Sequence, residues 1–174
     1  TQNNVDFFDF VKWRLTRKVG KWPDWIEYNI NTEIVETSIK PRITWINHAT
    51  MLIQVNGINL LTDPIWSKRA SPVSFAGPKR VHAPAIKINN LPKIDYVLIS
   101  HDHYDHLDYP TIRQLEEKFK PIFITGEKTS KIFSKIVDKS RRIELSWWQE
   151  IETINSIKIT FVPAHHWSKR NIIG

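Results

Sequence analysis

The sequence predicts a mixed α/β layered fold, and three observations carry that expectation. Short apolar strands come first as a meander. Strands then alternate with helical segments, and one continuous apolar run, Tyr96-Val97-Leu98-Ile99, has the character of a strand buried on both faces. The 174 residues suffice for one domain with a core of its own, and 41% apolar against 25% charged residues is an ordinary globular balance.

Residues 1–40 read as an N-terminal arm: a short helix, then Lys21-Trp22-Pro23-Asp24-Trp25, then a polar linker. The domain proper spans 41–174. Its periodic core begins with strands over Ile43 to Ile46 and Thr50 to Val55. Asn56-Gly57 then supplies the strongest hairpin signal in the chain and turns it into Ile58 to Thr62. From Pro64 to Pro92 there are five prolines and no usable periodicity, and a loop that long in a compact domain tends to be functional.

Beyond the buried run, Asp108 can cap a helix with Pro110 in its first turn and Ile112, Leu115 and Phe119 at helical spacing. Pro121 to Thr125 reads as a strand. Glu127 to Asp138 reads as a helix with Ile132, Phe133, Ile136 and Val137 on one side. Ile151 to Ile154 and Ile157 to Val162 form a hairpin around Asn155-Ser156. Trp147-Trp148 read as packing rather than substrate contact.

Composition narrows the chemistry. There is no cysteine, which excludes disulfides and thiolate-held zinc, so any metal must rest on imidazoles and carboxylates. No apolar run reaches the ~18 residues of a membrane span, and Asp6, Asp9 and Lys12 break up any signal-peptide core. The expectation is therefore a cytoplasmic protein. Peripheral membrane contact is the alternative, through Phe7, Phe8, Phe10, Trp13, Arg14, Arg17 and Lys18, against the plainer reading of an arm packed on its own domain. A net charge of +7 suits either a solvated basic surface or attraction to an anionic partner. With no interleaved aromatic-basic tract, nucleic acid is not the expected partner.

The segment that carries chemistry is Ser100-His101-Asp102-His103-Tyr104-Asp105-His106-Leu107-Asp108. It follows the buried strand and precedes a helix, where α/β sheets place their ligands. His101 and His103 are two apart, so in extended backbone both rings point the same way and can grip one ion. Asp105 and His106 follow as the chain bends and can reach a second. Three of the seven histidines fall within these six positions, 101–106, with aspartates interleaved, so chance is a poor explanation. Imidazole plus carboxylate suits zinc, with iron and manganese as alternatives.

His-x-His-x-Asp-His after a buried strand resembles the signature of the metallo-β-lactamase superfamily. The flanking words Trp45-Ile46-Asn47-His48-Ala49-Thr50, Leu61-Thr62-Asp63-Pro64, Gly77-Pro78-Lys79-Arg80 and His166-Trp167-Ser168-Lys169-Arg170 are similar to its N-acylphosphatidylethanolamine phospholipase D branch. The resemblance implies an αββα sandwich and hydrolysis by metal-activated water. It implies His101, His103 and His166 as ligands of one metal and Asp105 and His106 as ligands of a second, with Asp105 and His106 at the catalytic centre. His165 is the alternative to His166. His48 and Asp63 are candidates for orienting a ligand from behind, against a backbone-satisfied histidine and a turn carboxylate. Lys79, Arg80, Lys169 and Arg170 are candidates for an anionic head group, against plain surface charge.

The chain also departs from the family's pattern. No Gly-Asp pair supplies the bridging aspartate, and no later histidine completes the second metal. Five of seven expected ligands are present. The expectation is the first half of the sandwich with the second half missing, inactive by itself. The leading function is a phosphodiester hydrolase. A lactonase or nuclease on the same fold, or a non-catalytic binding module, stands as the alternative.

Overall fold

The structure, a computed structural model, describes residues 7–18, 20–27, 33–167 and 170. Its centre is a six-stranded sheet whose spatial order follows the chain: β1 (Arg42–Asn47), β2 (Thr50–Val55), β3 (Ile58–Thr62), β4 (Tyr96–Ile99), β5 (Ile122–Gly126) and β6 (Arg142–Leu145). β1, β2 and β3 run antiparallel, and from β3 onward the pairings are parallel. The β2–β3 turn places Asn56 at φ 53° and Gly57 at φ 79°, the left-handed pair that Asn-Gly adopts with least strain. The parallel pairings require crossovers. The proline-rich segment makes the one from β3 to β4, and α2 (Tyr109–Phe119) makes the one from β4 to β5.

Alternation along β4 explains the layering. Val97 and Ile99 enter one core with Leu61, Phe123, Phe133 and the α2 residues Ile112 and Leu115. Tyr96 and Leu98 enter a second core on the opposite face, with Ile124, Leu145 and the side chains Ile151, Ile159 and Phe161. Those last residues belong to a separate antiparallel pair, β7 (Glu150–Glu152) and β8 (Lys158–Thr160), and their flank. The order is thus helix, main sheet, then a small second sheet: a mixed α/β arrangement with the first layers of the expected sandwich. The proline-rich segment lacks regular structure apart from a 3-10 turn at Ile88–Asn90, yet it buries Ile65, Ile86 and Leu91 and is part of the fold.

Several expectations need correction. Glu127 to Asp138 is not an α-helix. It opens with Lys128 in the left-handed region (φ 64°) and forms only a 3-10 turn, Thr129–Phe133. Phe133 and Val137 are buried and Glu144 holds the Ser130 N–H, so tertiary contacts override the helical spacing. Strand β6 was not expected, because Arg-Ile-Glu-Leu alternates charge with only two apolar residues. Trp147 and Trp148 are exposed at 65% and 68%, so they do not serve as packing among the described residues. The arm does form a helix, α1 (Phe7–Thr16), on which Phe8, Trp13 and Leu15 lie exposed. No described helix is long and apolar enough to cross a membrane.

Candidate metal centre

The histidine segment leaves β4 at its carboxyl end and runs directly into α2. Asp108, at the helix's N-cap position, does not cap it. Its carboxylate instead accepts hydrogen bonds from the Trp66 and Ser67 N–H groups, Ser67 Oγ and Thr111 Oγ1. The loop is thereby tied to the proline-rich segment. From the other side Arg170 donates to the carbonyls of Asp102 (3.0 Å) and Leu107 (2.9 Å) while its guanidinium lies 4.0 Å over the Tyr104 ring. Arg170 is therefore engaged in holding the metal-binding loop, and Arg80 donates to the carbonyls of Ile65 and Ser67. Lys79 is exposed, and Lys169 lies outside the described residues.

Two groups of donors emerge. The first is His101, His103 and His166. His101 Nε2 faces His103 Nδ1 at 2.9 Å, and His166 Nε2 faces the same Nδ1 at 3.3 Å. Of the adjacent pair it is His166 that joins this group, while His165 is in neither. The second group is Asp105, His106 and His48, with His48 Nε2 at 2.9 Å and His106 Nε2 at 3.5 Å from Asp105 Oδ2. The groups abut, since the His101 and His106 ring centroids are 4.2 Å apart.

Proton placement follows from the partners. Asp63, buried at 7% exposure, accepts from the Ser100 N–H at Oδ1 and from Ser100 Oγ at Oδ2, each at 2.7 Å. A hydroxyl has one proton to give, so Ser100 Oγ in turn accepts from His101 Nδ1 at 2.8 Å. Asp63 Oδ2 also accepts from His106 Nδ1 at 2.9 Å. Both neutral rings then carry their proton on Nδ1 and offer the Nε2 lone pair to the centre. Ser100, in plain view before the first histidine, was not singled out in the sequence. Its hydroxyl beside a ligand was the available signal. His103 instead is set by packing on Trp167, ring centroids 4.4 Å apart, and its Nε2 is buried without a partner among the described residues.

The electrostatics favour ligation by His101 and Asp105 and oppose it at His106. Burial, then the like charges of His106 and His103, lower the pKa of His101, so it stays in its ligating, unprotonated form to lower pH. Burial also presses His106 downward, but the hydrogen bond and charge of Asp63, with Asp105, outweigh it and the net shift is upward. Asp105 is raised by burial, yet a backbone hydrogen bond, the charge of His106 and the hydrogen bond from His48 bring it below the usual carboxylate range. The donor sets fit a metal. Around zinc, Zn–N bonds of about 2.0–2.1 Å in a tetrahedron put donor atoms about 3.3 Å apart, close to the separations found. Both contacts fall on His103 Nδ1, so in the absence of an ion a single proton there would have to be shared between His101 Nε2 and His166 Nε2.

The fold and site together define a layered α/β protein with two histidine-rich groups that could hold metal ions, gathered around the loop after a central strand. The chain belongs to the β-lactamase superfamily, whose domain matches residues 58–174. It is 37% identical to the N-acyl-phosphatidylethanolamine-hydrolyzing phospholipase D 1 of Caenorhabditis elegans, covering 74% of this chain and 38% of that protein. An uncharacterized protein of Mycobacterium tuberculosis is 38% identical over 74% of this chain and 34% of its own length. A metallo hydrolase of the archaeon Ignicoccus hospitalis shares the fold, with a TM-score of 0.54 at 16% identity, covering 74% of this chain and 50% of that one. The chain thus spans about a third of the length of these two curated relatives.

Proposed function

We propose that the chain carries the metal-binding portion of a metal-dependent hydrolase acting on an anionic ester of the phosphodiester kind, with zinc as its ion. Iron and manganese suit the same donors. The observation that supports it is the pair of abutting three-donor groups, each of imidazoles or imidazoles plus one carboxylate. A bound ion supplies Lewis acidity there, acidifying a water and polarising the oxygen of the bond to be broken.

The chain's own residues do the rest. Asp63 and Ser100 hold two ligand rings with their lone pairs turned inward, and Asp105 keeps its charge at neutral pH. A cavity of about 650 Å³ opens beside the second group, with Trp45, Ile65, Val81 and Tyr104 on its walls and the exposed Lys68 and Lys79 among its lining. Apolar walls with cationic side chains suit an ester bearing both an apolar chain and a negative charge. The activity named for the C. elegans relative is of that chemistry.

The test is made on the full-length protein, supplemented with zinc, by elemental analysis and by assays on a lipid diester, a lactone and RNA. The expected result is stoichiometric metal and fastest turnover of the diester, with hydrolysis abolished in His101→Ala and His103→Ala. Metal at trace level only would remove the metal reading, and a preferred lactone would hand the function to the alternative.

A further inference from the structure

His48 lies at the tip of the β1–β2 turn with φ 42°, a left-handed conformation that a non-glycine residue adopts at a cost and that the surroundings must hold in place. They do. The register slips between Trp45 and Asn47, Trp45 Nε1 donates to the His48 carbonyl at 3.0 Å, and Asn47 Nδ2 donates to the Ile65 carbonyl at 3.0 Å. The Ala85 N–H reaches the Ile46 carbonyl at 2.9 Å. A braced, strained turn therefore delivers this ring across 57 residues of sequence onto Asp105.

Which carboxylate oxygen it meets bears on its role. A histidine that merely steadied Asp105 from behind would take the oxygen turned away from the other ligand, leaving the inward one for an ion. Here His48 Nε2 and His106 Nε2 converge on the same atom, Asp105 Oδ2, at 2.9 and 3.5 Å. These separations straddle the roughly 3.3 Å expected between donors of a tetrahedral zinc. All three donor atoms lie within 4.8 Å of one another. The His48 side chain is 52% exposed, so its ring has room to adjust as an ion enters.

We propose that His48 is a direct protein ligand of the second metal ion, alongside Asp105 and His106; this rests on the reading of the centre as a two-ion site. The described residues then supply three protein donors to each ion, and the second ion does not depend on Asp105 and His106 alone.

Cobalt(II) is the probe, titrated into the full-length protein and into its His48→Ala and His48→Gln variants. Affinity is measured by calorimetry, and ligand imidazoles by their paramagnetically shifted N–H resonances. The wild type is expected to take two ions. Both variants should lose one shifted imidazole resonance and weaken only the second ion. The loss should exceed the about 10–100-fold that a residue acting through another ligand is worth. Glutamine keeps an N–H to donate to Asp105. Retention of every shifted resonance and of second-ion affinity in His48→Gln would therefore overturn the proposal and leave His48 a positioning residue, with the two-ion centre intact. Uptake of fewer than two ions by the wild type would instead bring down the two-ion reading and this proposal together.

Discussion

At the scale of single residues, the centre depends on a carboxylate that holds no metal in this scheme. Asp63 sits at φ 37° just before Pro64, and its two oxygens take three hydrogen bonds, from Ser100 N–H, Ser100 Oγ and His106 Nδ1. Through the serine it fixes the tautomer of His101, and directly it fixes that of His106. One side chain thus sets a ligand in each donor group. Replacing Asp63 by Ala should weaken zinc binding at both groups by about 10–100-fold, the usual worth of such a partner, in a calorimetric titration. Asp63→Asn should fare little better. Its amide has one oxygen where the carboxylate has two, and its NH₂ would be turned against a donor. Loss at one group only would mean that the serine relay does not control His101. In the sequence, Asp63 was as readable as a turn residue as a ligand's support, because its partners are 37 and 43 residues away.

At the scale of elements, the second sheet is the part most open to perturbation. Gly126 ends β5, and a Cβ there would meet the Phe161 ring at 2.8 Å. Phe161 follows β8 and shares the second core with Ile124 and Leu145. Gly126→Ala should therefore push the β7–β8 pair outward and cost about 1–3 kcal/mol, read as a lower melting temperature. His166 lies five residues beyond, so its group should also bind zinc more weakly, whereas Asp105 and His106 should not be affected. Glu144 makes a different kind of tie. Burial raises its pKa, but hydrogen bonds from Ser130 and the backbone at Lys128 outweigh this and the net shift is downward. A carboxylate depressed in the folded state stabilises fully above its unfolded pKa and loses that contribution as pH falls through its folded pKa. Melting curves should thus show wild type above Glu144→Gln at about pH 7, with the gap closing as the pH falls below the ordinary carboxylate range. A gap independent of pH would mean that the ionised carboxylate is not what holds the turn. These two contacts also mark where the sequence was hard to read. The meander, β4, α2 and the hairpin announce themselves through periodicity and turn chemistry. The segment after β5 has helical spacing but is held as a 3-10 turn by a side chain from a strand too polar to recognise.

At the scale of the whole molecule, the +7 charge acts as a field rather than through single pairs. Lys68 and Lys79 beside the cavity are its local expression. For an anionic diester, turnover of the full-length protein at sub-saturating substrate should fall as salt shortens the Debye length to roughly 8 Å at physiological ionic strength. Rates indifferent to salt would argue against an anionic substrate. The histidine segment was legible because its donors are close neighbours in sequence, and His166 because it follows a strand. His48 was legible only as a candidate for orienting a ligand; its convergence on Asp105 Oδ2 and the engagement of Arg170 with backbone carbonyls were not, since both depend on how distant loops close over one strand end.

That clasp by Arg170 has a consequence in time. His103 and its partner His166 are separated by 63 residues, and the guanidinium that holds the loop reaches back 63 and 68 residues to the carbonyls of Leu107 and Asp102. During synthesis the chain emerges N-terminal end first, at roughly 5–20 residues per second. For several seconds the early histidines stand on a loop with neither its third imidazole nor its clamp. An ion reaching the first group in that interval would find only two of its three rings. The first group would be complete only once the downstream hairpin has docked, so the ribosome's own pace would set the earliest moment at which that group could keep an ion, whereas His48, Asp105 and His106 all emerge before it.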